Sequence, residues 1–244
     1  MAPPKAASAA PSSSSTQATD KEYADSASLE TYITNYKTEN GRRYHAYKDG
    51  AYWVSTSITL PFYTSDQQKG PNDESANDGL DLTHAIYRLT LGSLTFAPVS
   101  RPEQILDVGT GTGIWAIEMG DEHPEAQILG TDLSPIQPEL VPPNCLFEID
   151  DCEMDWTWPD NHFDYIHIRD LHGSIRDWQK LMREAFRCCK PGGLVELVDH
   201  NFWPVSASFL FLISLSRLVC CRGKNAHGTA LAITTTANSL TRLC

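Results

Sequence analysis

Short apolar runs at 104–108, 127–131, 145–149, 163–168 and 194–198 alternate with longer stretches whose apolar residues recur at helical spacing. Runs of this length are strands, and the stretches between them are helices or turns. A helix is expected over 114–121, with Pro124 turning the chain back. Ile175, Trp178, Leu181, Met182, Ala185, Phe186 and Cys189 mark another helix, which Pro191-Gly192-Gly193 stops before the last run. From Asp81, with acids at its start, Leu82, Ala85, Ile86 and Leu89 predict a helix ahead of the first strand. Prolines 135, 138, 142 and 143 connect the second run to the third. Repeated strand–helix units of this kind predict an α/β fold, a parallel sheet covered by helices on both faces.

The first strand runs into Asp107-Val108-Gly109-Thr110-Gly111-Thr112-Gly113, and a helix starts at Ile114. Alternating glycines permit a tight turn and close approach of a ligand to the backbone. The following helix offers unpaired N–H groups and the positive end of its dipole, which suit a carboxylate or phosphate. Read alone, the loop leaves two cofactors open, because Gly111-x-Gly113-x-x-Ala116 also fits a nicotinamide-dinucleotide fingerprint.

Three acids bear on that choice. Asp132 ends the second strand, nineteen residues after Gly113, where a carboxylate can accept from both hydroxyls of a bound ribose. At the end of the third strand lies Asp150-Asp151, and Asp151 is the member expected beside an adenine amine. Asp107, two residues before the first glycine, would repel a pyrophosphate but favour the ammonium end of a methionine moiety. An acid-rich pocket of this sort fits S-adenosylmethionine.

The chain of 244 residues carries a formal net charge of −12, which argues against direct nucleic-acid binding, since phosphate backbones are bound by clustered Lys and Arg. Its seven cysteines include the adjacent pairs 188–189 and 220–221 and form no metal knuckle or disulfide framework, so a reduced, intracellular protein without a metal site is expected. Residues 1–27, rich in Ala, Pro and Ser, read as a disordered tail and not as a secretory signal. Residues 28–100 read as an N-terminal cap with a loop-like insertion near 54–70, and 101–204 as the cofactor-binding core. The remaining segment, 205–244, is divergent. Its apolar stretch at 206–221 holds four serines and Arg217 and falls short of the about twenty apolar residues of a membrane span.

With these residues in view, Leu106 to Gly113 resembles motif I of the class I S-adenosylmethionine-dependent methyltransferases. More narrowly, Arg42-Arg43-Tyr44-His45, Pro71-Asn72-Asp73-Glu74, Leu80-Asp81-Leu82-Thr83-His84, Gly130-Thr131-Asp132-Leu133-Ser134-Pro135, Phe163-Asp164-Tyr165-Ile166-His167-Ile168-Arg169 and Lys190-Pro191-Gly192-Gly193 resemble the fungal LaeA-like methyltransferases. The resemblance implies a Rossmann-like doubly wound sheet and a cofactor site formed by Asp107, Gly109, Thr110, Gly111, Gly113 and Asp132, with Asp151 next to adenine. It also implies regulation of secondary metabolism, regulatory protein partners, and residence in the nucleus or cytoplasm. The methyl acceptor, a small molecule or a protein, is not identified by it.

In-line methyl transfer depends chiefly on alignment and requires no obligatory nucleophile or metal. No catalytic residue is assigned, although His167, Asp170 and His172 follow the fourth strand, where a general base could stand. Two segments, 54–70 and 205–244, break the family pattern, and we read them as the products of imperfect exon boundaries or retained introns. On that reading the sheet ends after its fifth strand and lacks the antiparallel pair that walls the acceptor site. Three functions are therefore weighed: a methyltransferase, an inactive methyltransferase-like regulator that binds cofactor and partner proteins, and a nicotinamide-dependent oxidoreductase.

Overall fold

The structure is a computed structural model and describes residues 34–45, 70–201, 214–222, 230–236 and 239–243. The tail at 1–27 lies outside these residues, as does the insertion at 54–70 apart from Gly70. A short hairpin, β1 (Lys37–Glu39) and β2 (Arg42–Tyr44), precedes helix α1 (Glu74–Leu91). Strands β3 (Gln104–Val108), β4 (Gln127–Asp132), β5 (Cys145–Ile149), β6 (Phe163–Arg169) and β7 (Cys189–Asn201) realise the five predicted runs. They pair in parallel in the order β5-β4-β3-β6-β7. The order reverses at β3, so the carboxyl ends of β3, β4 and β6 border the crevice where such sheets take ligands.

Alternation along the strands divides the core into two layers. Leu106, Val108, Ile166, Ile168 and Val195 face α3 (Trp178–Cys188), which buries Leu181, Ala185 and Cys188 against them. On the other side, Ile105, Ile128 and Tyr165 pack on Trp115, Ala116 and Met119 of α2 (Ile114–Glu122). Buried on both faces, the central strands read as continuous apolar runs.

Three expectations are corrected. The sheet does not end after its fifth strand. β8 (Ser214–Arg222), β9 (Ala230–Thr236) and β10 (Ser239–Leu243) continue it from the β7 edge as an antiparallel meander. The cause is the length of β7, which extends to Asn201 and offers a long row of backbone groups to β8, from Leu194↔Cys221 to Asn201↔Ser214. Second, Pro191-Gly192-Gly193 does not separate helix from strand. The register passes from Phe163↔Cys189 to Tyr165↔Leu194, so 190–193 form an irregular excursion within β7.

Third, α1 starts at Glu74 rather than near Asp81, because the Asp73 carboxylate accepts from Ala76 N (3.1 Å) and caps it. Its supposed core face points outward: Leu82 is 60% and Leu89 87% exposed, while Ala76, His84 and Tyr87 are buried. Polar pairing turns the helix this way. Arg88 forms an ion pair with Glu118 of α2 (3.1 Å), and Tyr87 donates to Asp170 (2.5 Å).

The far end of α2 is held by one amide. Asn144 Nδ2 donates to the carbonyls of Gly120 (3.1 Å), His123 (3.1 Å) and Ala126 (3.0 Å). Asn144→Ala is expected to lower the unfolding free energy by about 1–3 kcal/mol, because these carbonyls lose their donor in a buried place. Urea denaturation of the two proteins measures the difference.

Candidate functional site

Helix α1 lies against the loop after β3, where Asp81 meets Thr112, and against the end of β6, where Tyr87 meets Asp170. Gly109, Gly111 and Gly113 all have positive φ, and Gly113 is the N-cap of α2 without a side-chain cap, so the first amides of that helix remain available. A Cβ on Gly113 would stand 2.4 Å from the Phe147 ring of β5, and one on Gly130 would stand 2.6 Å from it. Glycine is thus required there for packing, and at Gly113 for backbone conformation as well.

Asp132 joins the two loops. Its Oδ2 accepts from Gly111 N (2.8 Å) and its Oδ1 from Ser134 N (2.9 Å), and it is only 7% exposed. Burial, partly offset by those two donors, pushes its carboxyl up to about 6. Gln137 Nε2 closes the arrangement by donating to Gly111 O (2.6 Å) and Ser134 O (3.0 Å). Both carboxylate oxygens are engaged by backbone N–H groups, and each retains acceptor capacity.

Asp107 lies beneath the loop. Its Oδ2 accepts from Thr110 Oγ1 (2.6 Å), and its Oδ1 is 2.7 Å from His167 Nδ1. His167 is its neighbour in register on β6 and stacks on Trp115, with ring centroids 3.8 Å apart and planes 5° apart. Thr110 N donates to Thr131 O (2.9 Å). Asp151 sits beyond the end of β5, which Asp150 N ties to Asp132 O (3.0 Å), and Asp151 Oδ1 accepts from Glu153 N (3.1 Å). The structure therefore brings Asp107, Thr110, the three loop glycines and Asp132 together, with Asp151 on the adjacent strand end.

The general-base positions fare differently. His167 lies within β6 and is 2% exposed, held by Asp107, because its alternate face of the strand is the one α2 covers. Asp170 has a left-handed backbone (φ 56°) and accepts from Tyr87, whereas His172 is exposed. Several residues of the site carry no signal in motif spacing. Leu171 lies over Gly109, Leu80 over Gly111, and Asp81 accepts from Thr112 Oγ1 (2.6 Å). Ser134, Asn72 and His45 form a further cluster at the Asp132 loop, with Ser134 Oγ 2.9 Å from His45 Nδ1 and 3.4 Å from Asn72 Nδ2. Only their place in the resemblance to a family marks them in the sequence.

Residues 82–222 match the family model described as a methyltransferase domain, which takes in the glycine loop, Asp132, Asp151 and the strands through β8. The chain belongs to the methyltransferase domain family. It is 45% identical over 176 residues to methyltransferase pytC of Aspergillus terreus, covering 70% of this chain and 49% of that protein. To the secondary metabolism regulator laeA of Aspergillus flavus it is 37% identical over 169 residues, covering 68% and 42% respectively. The protein-methionine methyltransferase laeA of Emericella nidulans is 36% identical over 172 residues, covering 69% and 42%. The chain thus spans about half the length of the curated relatives it matches. The LaeA-like resemblance holds, and membership of this family overturns the oxidoreductase reading. The match also continues past 204, the expected boundary of the core.

The raised pKa of Asp132 has a consequence for stability. A carboxyl whose folded value lies above its ordinary 3.8 supports the fold fully when protonated, and that support is lost as pH rises through about 6. Between pH 4 and 7 the protein is expected to lose about 3 kcal/mol relative to Asp132→Asn, which does not titrate. Chemical denaturation of both across that range checks the sign and size.

Proposed function

We propose that the chain is an S-adenosylmethionine-dependent methyltransferase of the LaeA-like type, acting on a small-molecule or protein acceptor in the control of fungal secondary metabolism. The observation that carries this reading is the buried Asp132 carboxylate, fixed by Gly111 N and Ser134 N beside a glycine loop that opens α2. Its remaining acceptor capacity suits the two sugar hydroxyls of an adenosine. Gly109, Thr110, Gly111 and Gly113 provide the close backbone approach, and Asp151 accepts from the adenine amine at the neighbouring strand end.

Asp107 acts from behind the loop. With one oxygen on Thr110 and the other on His167, it holds the loop in shape and places negative charge beneath the amino end of the methionine moiety. When bound, S-adenosylmethionine supplies an electrophilic methyl group. The protein's own part is to orient it toward the acceptor and keep water away, with Leu80 and Leu171 lying against the loop.

A second reading, a regulator that binds cofactor without turnover, is favoured by one observation. Asp170, the acid at the tip of β6, is engaged by the buried Tyr87 phenol.

Calorimetric titration with S-adenosylmethionine is expected to show binding by the full chain and affinity lower by at least about tenfold for Asp132→Ala, the loss of hydrogen bonds to a charged acceptor. Equal affinity would remove the ribose role. Binding is also expected to weaken as pH falls below about 6, where Asp132 takes up a proton. Release of labelled methyl groups in a cell extract separates enzyme from regulator.

A further inference from the structure

We propose that the N-terminal hairpin and the turn before α1 are a built part of the sugar subsite, holding the Asp132 loop in its hydroxyl-accepting geometry through Ser134. The inference rests on the adenosine reading of Asp132 and deepens it, because it assigns positioning residues that lie outside the matched methyltransferase domain, which begins at 82.

Ser134 is the point of contact. It is fully buried, and its backbone N–H is one of the donors that orient the Asp132 carboxylate. Its hydroxyl faces the N-terminal segment, where His45 Nδ1 lies at 2.9 Å and Asn72 Nδ2 at 3.4 Å. Both partners are themselves buried, at 4% and 0% exposure. Burial lowers the His45 pKa, which favours the neutral ring, a group that can pair with a hydroxyl.

Asn72 is in turn fastened to the hairpin. Its N–H donates to Arg43 O (2.9 Å), its Oδ1 accepts from Arg43 Nε (3.2 Å), and its carbonyl accepts from Arg43 Nη2. Tyr36 supports the same guanidinium, which lies 4.7 Å above its ring centroid. Next in the chain, Asp73 takes a two-point contact from Arg42 and caps α1, whose Asp81 reaches Thr112 of the glycine loop. Arg42 holds the Asp73 carboxyl down at about 2, so this anchor stays ionised across the range in which Asp132 titrates.

Two routes therefore run from the hairpin to the same carboxylate, one through Ser134 N and one through the loop that carries Gly111 N. A carboxylate fixed from both sides presents its free acceptor positions in one direction, which is what discrimination of a diol requires.

The test compares variants of the whole 244-residue chain by the ratio of affinities for S-adenosylhomocysteine and its 2′,3′-dideoxy analogue, which isolates the sugar hydroxyls from the rest of the ligand. Asp132→Ala is the reference and is expected to bring the ratio near one. His45→Ala and Asn72→Ala are expected to reduce the wild-type ratio by at least about fivefold, with His45→Gln, which keeps a hydrogen-bonding amide, recovering much of it. Should either alanine variant fail to fold by circular dichroism, Ser134→Ala, which removes one oxygen, reads the same ratio. A wild-type ratio in His45→Ala and Asn72→Ala, alongside a collapsed ratio in Asp132→Ala, overturns this proposal and leaves the ribose role standing. An equal loss of affinity for both ligands also overturns it, since that is general loosening. An intact ratio in Asp132→Ala sinks the ribose role itself.

Discussion

The two hydrogen bonds that Gly111 N and Ser134 N donate to one buried carboxylate tie the site together. Without Asp132, the β3 and β4 loops would keep the Gln137 and Thr110 links but lose the acceptor at which both amides are directed. With it, they become one rigid unit, at the cost of keeping a carboxylate largely out of water. That cost goes with the upward shift of its pKa. A protein maintains such a group where it gains something by having an under-satisfied acceptor in place before a ligand arrives.

A second buried acid works by the opposite logic. Asp107 has a partner on each oxygen, a hydroxyl and an imidazole, and the imidazole is pinned by the indole of Trp115. Asp107 is therefore fixed in position, and its contact with Thr110 helps to set the shape of the loop. The pair of acids divides the work: one is kept receptive and the other is kept still.

The strands and the glycine loop were legible in the sequence because their signals are local. Buried parallel strands read as apolar runs, and Gly113 is dictated by its own φ. Strand ends at 104–108 coincide with the structure for that reason. Orientation of α1 was not legible. Leu82, Ala85, Ile86 and Leu89 form the more apolar stripe, but His84, Tyr87 and Arg88 have specific partners on α2 and in the loop after β6, and no periodicity reveals pairing across such distances in the chain. The continuation of the sheet was hidden in the same way, since β8 is set by the edge that β7 exposes and hardly by its own mixed Ser, Leu and Cys pattern. In the site, Asp132 could be found from its place at a strand end, while His45 and Asn72 reach it only through tertiary contact.

The Phe147 ring stands in the space that a side chain at Gly130 or at Gly113 would need. Gly130 lies in a regular strand and has no conformational reason of its own to be glycine. Its identity is borrowed from its neighbour across the β4–β5 pair. The three positions therefore cannot drift independently during evolution: a larger residue at 130 is admissible only after 147 has become smaller. Such a change would leave the amide end of α2 without the aromatic wall against which it now rests.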